Sequence, residues 1–151
     1  MDEALRTKVL AYLAGHNVLT LSTFGPAGPW AAAVFYVNDG LRLYFLSSPR
    51  SRHAQDLAAD PRTAAAIHED YRDWPDIKGI QLEGRAAPVP EAEIDRVRAL
   101  YGAKFPVVAN AAKAPPEIAA ALAGVRWYAL TPEALHFIDN SAGFGQRRRL
   151  L

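Results

Sequence analysis

Between Phe45 and Pro61 the chain reads FLSSPRSRHAQDLAADP. An apolar, strand-like run stops, and Ser47, Ser48, Arg50, Ser51, Arg52 and His53 follow in quick succession. A short helical stretch comes next, ended by Asp60-Pro61. A helix start exposes unpaired N–H groups and the positive end of the helix dipole, a combination that favours anions. Arginines there add charge-assisted hydrogen bonds, each contributing roughly 1.5–3 kcal/mol when partly desolvated, and serine hydroxyls complete a cradle for phosphate oxygens. The plainer reading is that Ser48 or Ser51 only caps the helix while the arginines stay solvated. Residue types alone leave both readings open.

Other chemistries find less support. The four histidines, at positions 16, 53, 68 and 136, are scattered. His68-Glu69 lacks the second histidine of a zinc-protease helix. Glu133-x-x-His136 follows Pro132 in a turn-and-strand context, so the two side chains would not share a helical face. No metal site is expected. There is no G-x-S-x-G elbow and no P-loop. Gly143-Phe144-Gly145 resembles the start of a dinucleotide fingerprint, but Arg148 takes the third glycine position and no βαβ unit follows. The chain has no cysteine, which excludes disulfides, thiolate chemistry and cysteine-ligated metals.

The elements that must position the Ser47–His53 stretch belong to one domain. The 151 residues suffice to bury a core, and half of them are hydrophobic. A formal net charge of +1 gives no argument for nucleic acid or membranes. The one basic run, Arg147-Arg148-Arg149, reads as a solvated or partner-contacting tail. No signal peptide or membrane-length apolar run is seen, so a cytoplasmic location is expected.

Apolar spacing predicts a helix over 3–14 and strands over 18–24, 30–37 and 41–46, with Asn38-Asp39-Gly40 turning the last pair. Further strands are expected over 62–69 and 80–89, the latter with a bulge or close approach at Gly84. A helix follows Pro90, residues 104–114 read as irregular, and Pro115-Pro116 opens an alanine-rich helix to Gly124. The last element reads as a hairpin, 125–130 and 134–138, around a Thr131-Pro132-Glu133 turn. Six or seven strands with tight turns and short peripheral helices predict a mainly antiparallel barrel, within the α+β class but dominated by β structure.

In this order the elements resemble the pyridoxamine 5′-phosphate oxidase-like FMN-binding split barrels, and in particular their small bacterial members. The stretches that carry the likeness are GPWAAAVFYVNDGLRLYFLSS, SRHAQDLAADPRTAAAI, KGIQLEGRA and RWYALTPEALHFIDNSAGFGQRR, nearly the whole chain. The resemblance implies a homodimer with FMN in two clefts along the interface. It places Ser47 on the FMN phosphate, and Ser51, Arg52 and His53 in the family's Ser-Arg-Lys cradle. Ala31, Ala32, Ala33 and Val34 match the strand that faces the isoalloxazine ring, with Gln81 near it. From the other subunit it implies Trp127, Asn140 and Phe144. Two departures stand out. His53 replaces the family's lysine, and the arginine–histidine pattern that holds the pyridoxal substrate is not recognisable in GFGQRRRLL. The expectation is therefore a flavin-dependent oxidoreductase acting on another small substrate. The alternative is a protein that binds, stores or senses flavin, heme or deazaflavin without turnover.

Overall fold

A computed structural model describes residues 1–151. Strand β1 (Val18–Gly25) buries Leu19, Leu21 and Thr23 and turns Val18, Thr20, Ser22 and Phe24 outward, as its alternation dictates. The Pro26-Ala27 turn, with Gly28 at φ +96°, leads into β2 (Gly28–Asp39), paired antiparallel with β1. Gly40, at φ +57°, turns β2 into β3 (Arg42–Ser47). Helix α2 (Arg52–Ala59) then carries the chain to β4 (Arg62–Ile67), which pairs with the other edge of β1. The ladder continues through β5 (Lys78–Pro88) and β6 (Arg126–Asp139). Because β6 also pairs with β3, the six strands close into an antiparallel barrel in the order β3-β2-β1-β4-β5-β6.

The barrel is filled by Leu19, Leu21, Tyr36, Leu43, Phe45, Ile67, Ile80 and Leu130, among others. Helix α1 (Glu3–Ala14), capped by the Asp2 side chain, adds Leu5, Val9 and Leu13. Helix α2 adds Ala54 and Leu57, so the segment after β3 is packed against the barrel interior and not free to swing. Helix α3 (Ile94–Lys104) builds a second, smaller cluster, setting Val97 and Tyr101 against the outward side chains Val37, Tyr44 and Ala129. The outer face of β1, β4 and the first half of β2, around Ala31 and Ala33, carries no such cover.

Three expectations need correcting. Residues 126–139 form one continuous strand, not a hairpin. Opposite Glu83 and Gly84 the register slips by one, from Ala134 to Pro132, leaving Glu133 as the extra residue of a bulge. Pro132 lacks an N–H and is accommodated at that irregularity, while β5 pairs on both sides of it and keeps the strand continuous. Gly84 makes the close approach: a Cβ there would lie 2.2 Å from the Thr131 carbonyl oxygen. The second correction is at the C-terminus, where Arg147–Arg149 is a short edge strand, β7, paired with His136–Ile138, although its side chains are exposed as a tail's would be. The third is the 104–114 segment, which contains a one-turn helix α4 (Pro106–Ala109) and a 3-10 turn (Ala111–Lys113) before α5 (Pro116–Ala123). No helix is long and apolar enough to cross a membrane.

Candidate functional site

The end of β3 and the start of α2 bring Ser47, Ser51 and His53 together. Ser51 is the N-cap: its extended backbone (φ −63°, ψ 150°) opens the helix and its hydroxyl accepts from the Ala54 N–H at 3.3 Å. The same hydroxyl donates to the Ser48 carbonyl at 2.7 Å. The Gln55 N–H bonds the Ser51 carbonyl, so the first two N–H groups of α2, on Arg52 and His53, have no acceptor within the chain. They are the anion-seeking pair that a helix start leaves over.

Ser47, only 6% exposed, points its Oγ at His53 Nε2, 2.7 Å away. Ser51 Oγ lies 3.3 Å from the same nitrogen. Burial pushes the His53 imidazole below its ordinary pKa, against the opposing pull of the Asp56 carboxylate. Arg52 reaches the other way, toward the β1–β2 turn: its guanidinium lies 4.3 Å over the Trp30 ring and donates to the Ala27 carbonyl at 3.2 Å. Its Nε is buried without a partner. An open cavity of about 590 Å³ lies between that turn and α2, lined by Pro26, Ala27, Arg50, Arg52, Gln55 and Asp56 among others.

Beneath it, Asp56 is 4% exposed and accepts from the buried Thr23 hydroxyl at 2.8 Å. Gly25 permits this, since a Cβ there would fall 1.9 Å from Asp56 Oδ1. Trp30 and the Thr23–Asp56 pair were not among the residues singled out from sequence. The available signal was that Asp56 follows Arg52 by four positions, one helical turn.

The remaining candidates separate by face and by end. Ala32 and Val34 pair with the buried Leu21 and Leu19, whereas Ala31 and Ala33 pair with the outward Ser22 and Thr20. Only Ala31 and Ala33 of the four therefore present to the outside. Gln81 is exposed on the same outer face, in a lateral row Ala33–Thr20–Ala66–Gln81. Three strand spacings separate Gln81 from Ala33, about 14 Å.

Trp127 packs edge-on against Tyr101 at 5.2 Å, inside the α3 cluster. Asn140 pins two loops, donating from its side chain to the Trp74 carbonyl at 2.9 Å and accepting from the Gly145 N–H at 3.1 Å. Phe144, 71% exposed, sits 6.2 Å from the equally exposed Trp74. Asn140 follows the end of β6, whereas Ser47 pairs with Arg126 at its start. About 40 Å of strand path lies between them, so within one chain Asn140 and Phe144 do not meet the cradle.

These residues fit a phosphate. Two free N–H groups, the Ser47 hydroxyl and an imidazole are suited to oxygen anions, and Arg52 adds a cation at the same helix start.

Comparison with known proteins agrees with the fold. A family profile described as pyridoxamine 5′-phosphate oxidase matches residues 5–139. A UPF0306 protein of Photorhabdus laumondii is 33% identical over 139 residues, covering 90% of this chain and 88% of its own length. Among solved structures, HutZ, the heme storage protein of Vibrio cholerae, superposes with a TM-score of 0.69 at 20% identity, over 85% of this chain and 91% of that one. A heme binding protein of Mycobacterium smegmatis gives 0.71 at 22%, over 92% of this chain and 55% of that longer one.

Proposed function

Since the chain belongs to the pyridoxamine 5′-phosphate oxidase family, we propose that it is an FMN-binding homodimer acting as a flavin-dependent oxidoreductase on a small substrate. The observation that carries this reading is the convergence of Ser47, Ser51 and His53 on a helix start whose first two N–H groups are free. Ser47 and the Arg52 and His53 backbones would hold the phosphate, while Ser51 caps the helix that carries them. Arg52, stacked on Trp30, would fix the β1–β2 turn beside it. Bound FMN would supply hydride or electron transfer at its ring. The chain's part is to orient that ring and shape the space over it.

A second copy would complete the site. Thr20, Ser22, Ala31, Ala33, Ala64 and Ala66 make a flat outer face of small residues, flanked by Phe24 and Phe35 at 60% and 56% exposure. Single large apolar residues on a surface are ordinary, but a bare sheet face rimmed by aromatics is not. The accessible surface of 8764 Å² also exceeds by over a tenth the roughly 7,500 Å² expected of a compact monomer of this mass. The surplus, about 1,200 Å², is of the order that one partner buries in a stable dimer. Asn140 and Phe144, remote from the cradle in their own chain, would reach it across such an interface.

The heme-related neighbours favour a second reading, binding or storage of heme by the same barrel. At their level of identity they speak for the fold, and the donors around Ser47 suit oxygen anions better than iron. The two readings separate by titration with FMN and with hemin. The decisive variants are Arg52→Ala and Arg149→Ala. Arg52→Ala, which unfastens the β1–β2 turn and removes a cation at the helix start, is expected to weaken FMN binding roughly tenfold, and Arg149→Ala, on the exposed edge strand, to leave it unchanged. Equal FMN dissociation constants in two folded variants would refute the site.

A further inference from the structure

We propose that the cradle takes up a proton with its phosphate, bound by the His53 imidazole, so that FMN affinity falls as pH rises above neutrality. The inference rests on the flavin-phosphate reading and concerns how that same site is regulated. It begins with the direction of each hydrogen bond. Ser51 Oγ spends its only proton on the Ser48 carbonyl, which can only accept. Toward His53 Nε2, 3.3 Å away, Ser51 can therefore only accept, and only an Nε2–H satisfies that contact. Ser47 Oγ, at 2.7 Å, can bond in either direction. Facing a bare Nε2, the Ser47 hydroxyl must point its proton at the imidazole. Facing Nε2–H, it accepts, and its own proton is free for a phosphate oxygen. The imidazolium always presents Nε2–H, so charging His53 both adds a cation to the cradle and releases Ser47 as a donor.

The surroundings make the charge conditional on the ligand. Burial disfavours the imidazolium in the free protein. Asp56 on the same helix supports it; the cations of this end of the fold are Arg50 and Arg52 at the helix start and Arg126, which pairs with Ser47 on β6. Neither β1 nor β3 contributes a carboxylate; β1 supplies Thr23, which is bonded to Asp56. At the far end of α2, Asp60 is neutralised by Arg62. His53 Nδ1 has no hydrogen-bond partner in the chain, so nothing there excludes a second ring proton. A phosphate dianion against this group reverses the balance. The proton comes from solvent, and no bond of the ligand is broken. A lysine at this position would stay charged throughout the physiological range and show no such coupling.

The test is calorimetric titration of the protein with FMN at pH 7, 8 and 9, in paired buffers of different protonation enthalpy. Over this range the FMN phosphate is dianionic, its second pKa being about 6, so changes report the protein. The expected result is uptake of up to one proton per site, with the dissociation constant rising by up to tenfold per pH unit. His53→Lys and His53→Gln should each bind FMN with no uptake and a flat pH profile, His53→Gln more weakly than wild type at pH 7. Wild-type binding without proton uptake and with a constant dissociation constant from pH 7 to 9 would overturn the inference and leave the flavin reading standing. No FMN binding at any pH would overturn the flavin reading and the inference with it.

Discussion

Ser47 and Ser51 hold one imidazole nitrogen between them, and the residue under them, Asp56, is held in turn by Thr23. At the scale of single residues this is a two-layer arrangement, with an upper layer of serine and imidazole groups at the helix start and a lower layer that fixes the helix carrying them. A buried carboxylate that loses a donor costs about 1.5–3 kcal/mol. Thr23→Val, equal in shape but without the hydroxyl, should therefore lower unfolding stability by about that much, measured by urea denaturation. Loss of stability within 0.5 kcal/mol would mean that Asp56 is satisfied elsewhere. The upper layer was legible from the sequence, because serine, arginine and histidine at a helix start declare their chemistry by type. The lower layer was not. Thr23 and Asp56 lie thirty-three positions apart and meet only when β1 and α2 pack.

At the scale of elements, the strand period and the turn residues carried most of the fold. Val18–Gly25 alternates cleanly, and glycines with positive φ stand at both tight turns, Gly28 and Gly40. The misleading element was β6. Thr131-Pro132-Glu133 has the composition of a turn, yet β5 pairs with the residues on both sides of it and carries the strand across. Long-range pairing overrode local preference there, and the only trace in the sequence was Gly84 on the opposing strand. Gly84→Ala should strain the bulge, since its Cβ would meet the Thr131 carbonyl oxygen at 2.2 Å and backbone must move. A loss of about 1–3 kcal/mol is expected, read as a lowered melting temperature; an unchanged melting temperature would show that the bulge is slack. The Arg147–Arg149 run was read by charge, and charge says nothing of the backbone pairing that makes it an edge strand.

At the scale of the whole molecule, the two ends of β6 define the geometry. The cradle lies beside its start, while Asn140 and Phe144 follow its end. A two-fold partner packed on the bare β1–β2–β4 face would let one chain's end serve the other chain's start. Ala33 lies on that face beside Thr20 of β1 and is exposed in the single chain. Ala33→Arg should leave the monomer folded, with a stability change near 0.5 kcal/mol or less, while dissociating the dimer in sedimentation experiments. A wild-type protein that sediments as a monomer would remove the shared-site geometry. The central claim concerns the phosphate, and FMN and riboflavin differ by that group alone. Their dissociation constants, compared at pH 7 by quenching of flavin fluorescence, should differ by about a hundredfold or more in favour of FMN, given several charge-assisted bonds of roughly 1.5–3 kcal/mol each. Equal affinities would contradict the account.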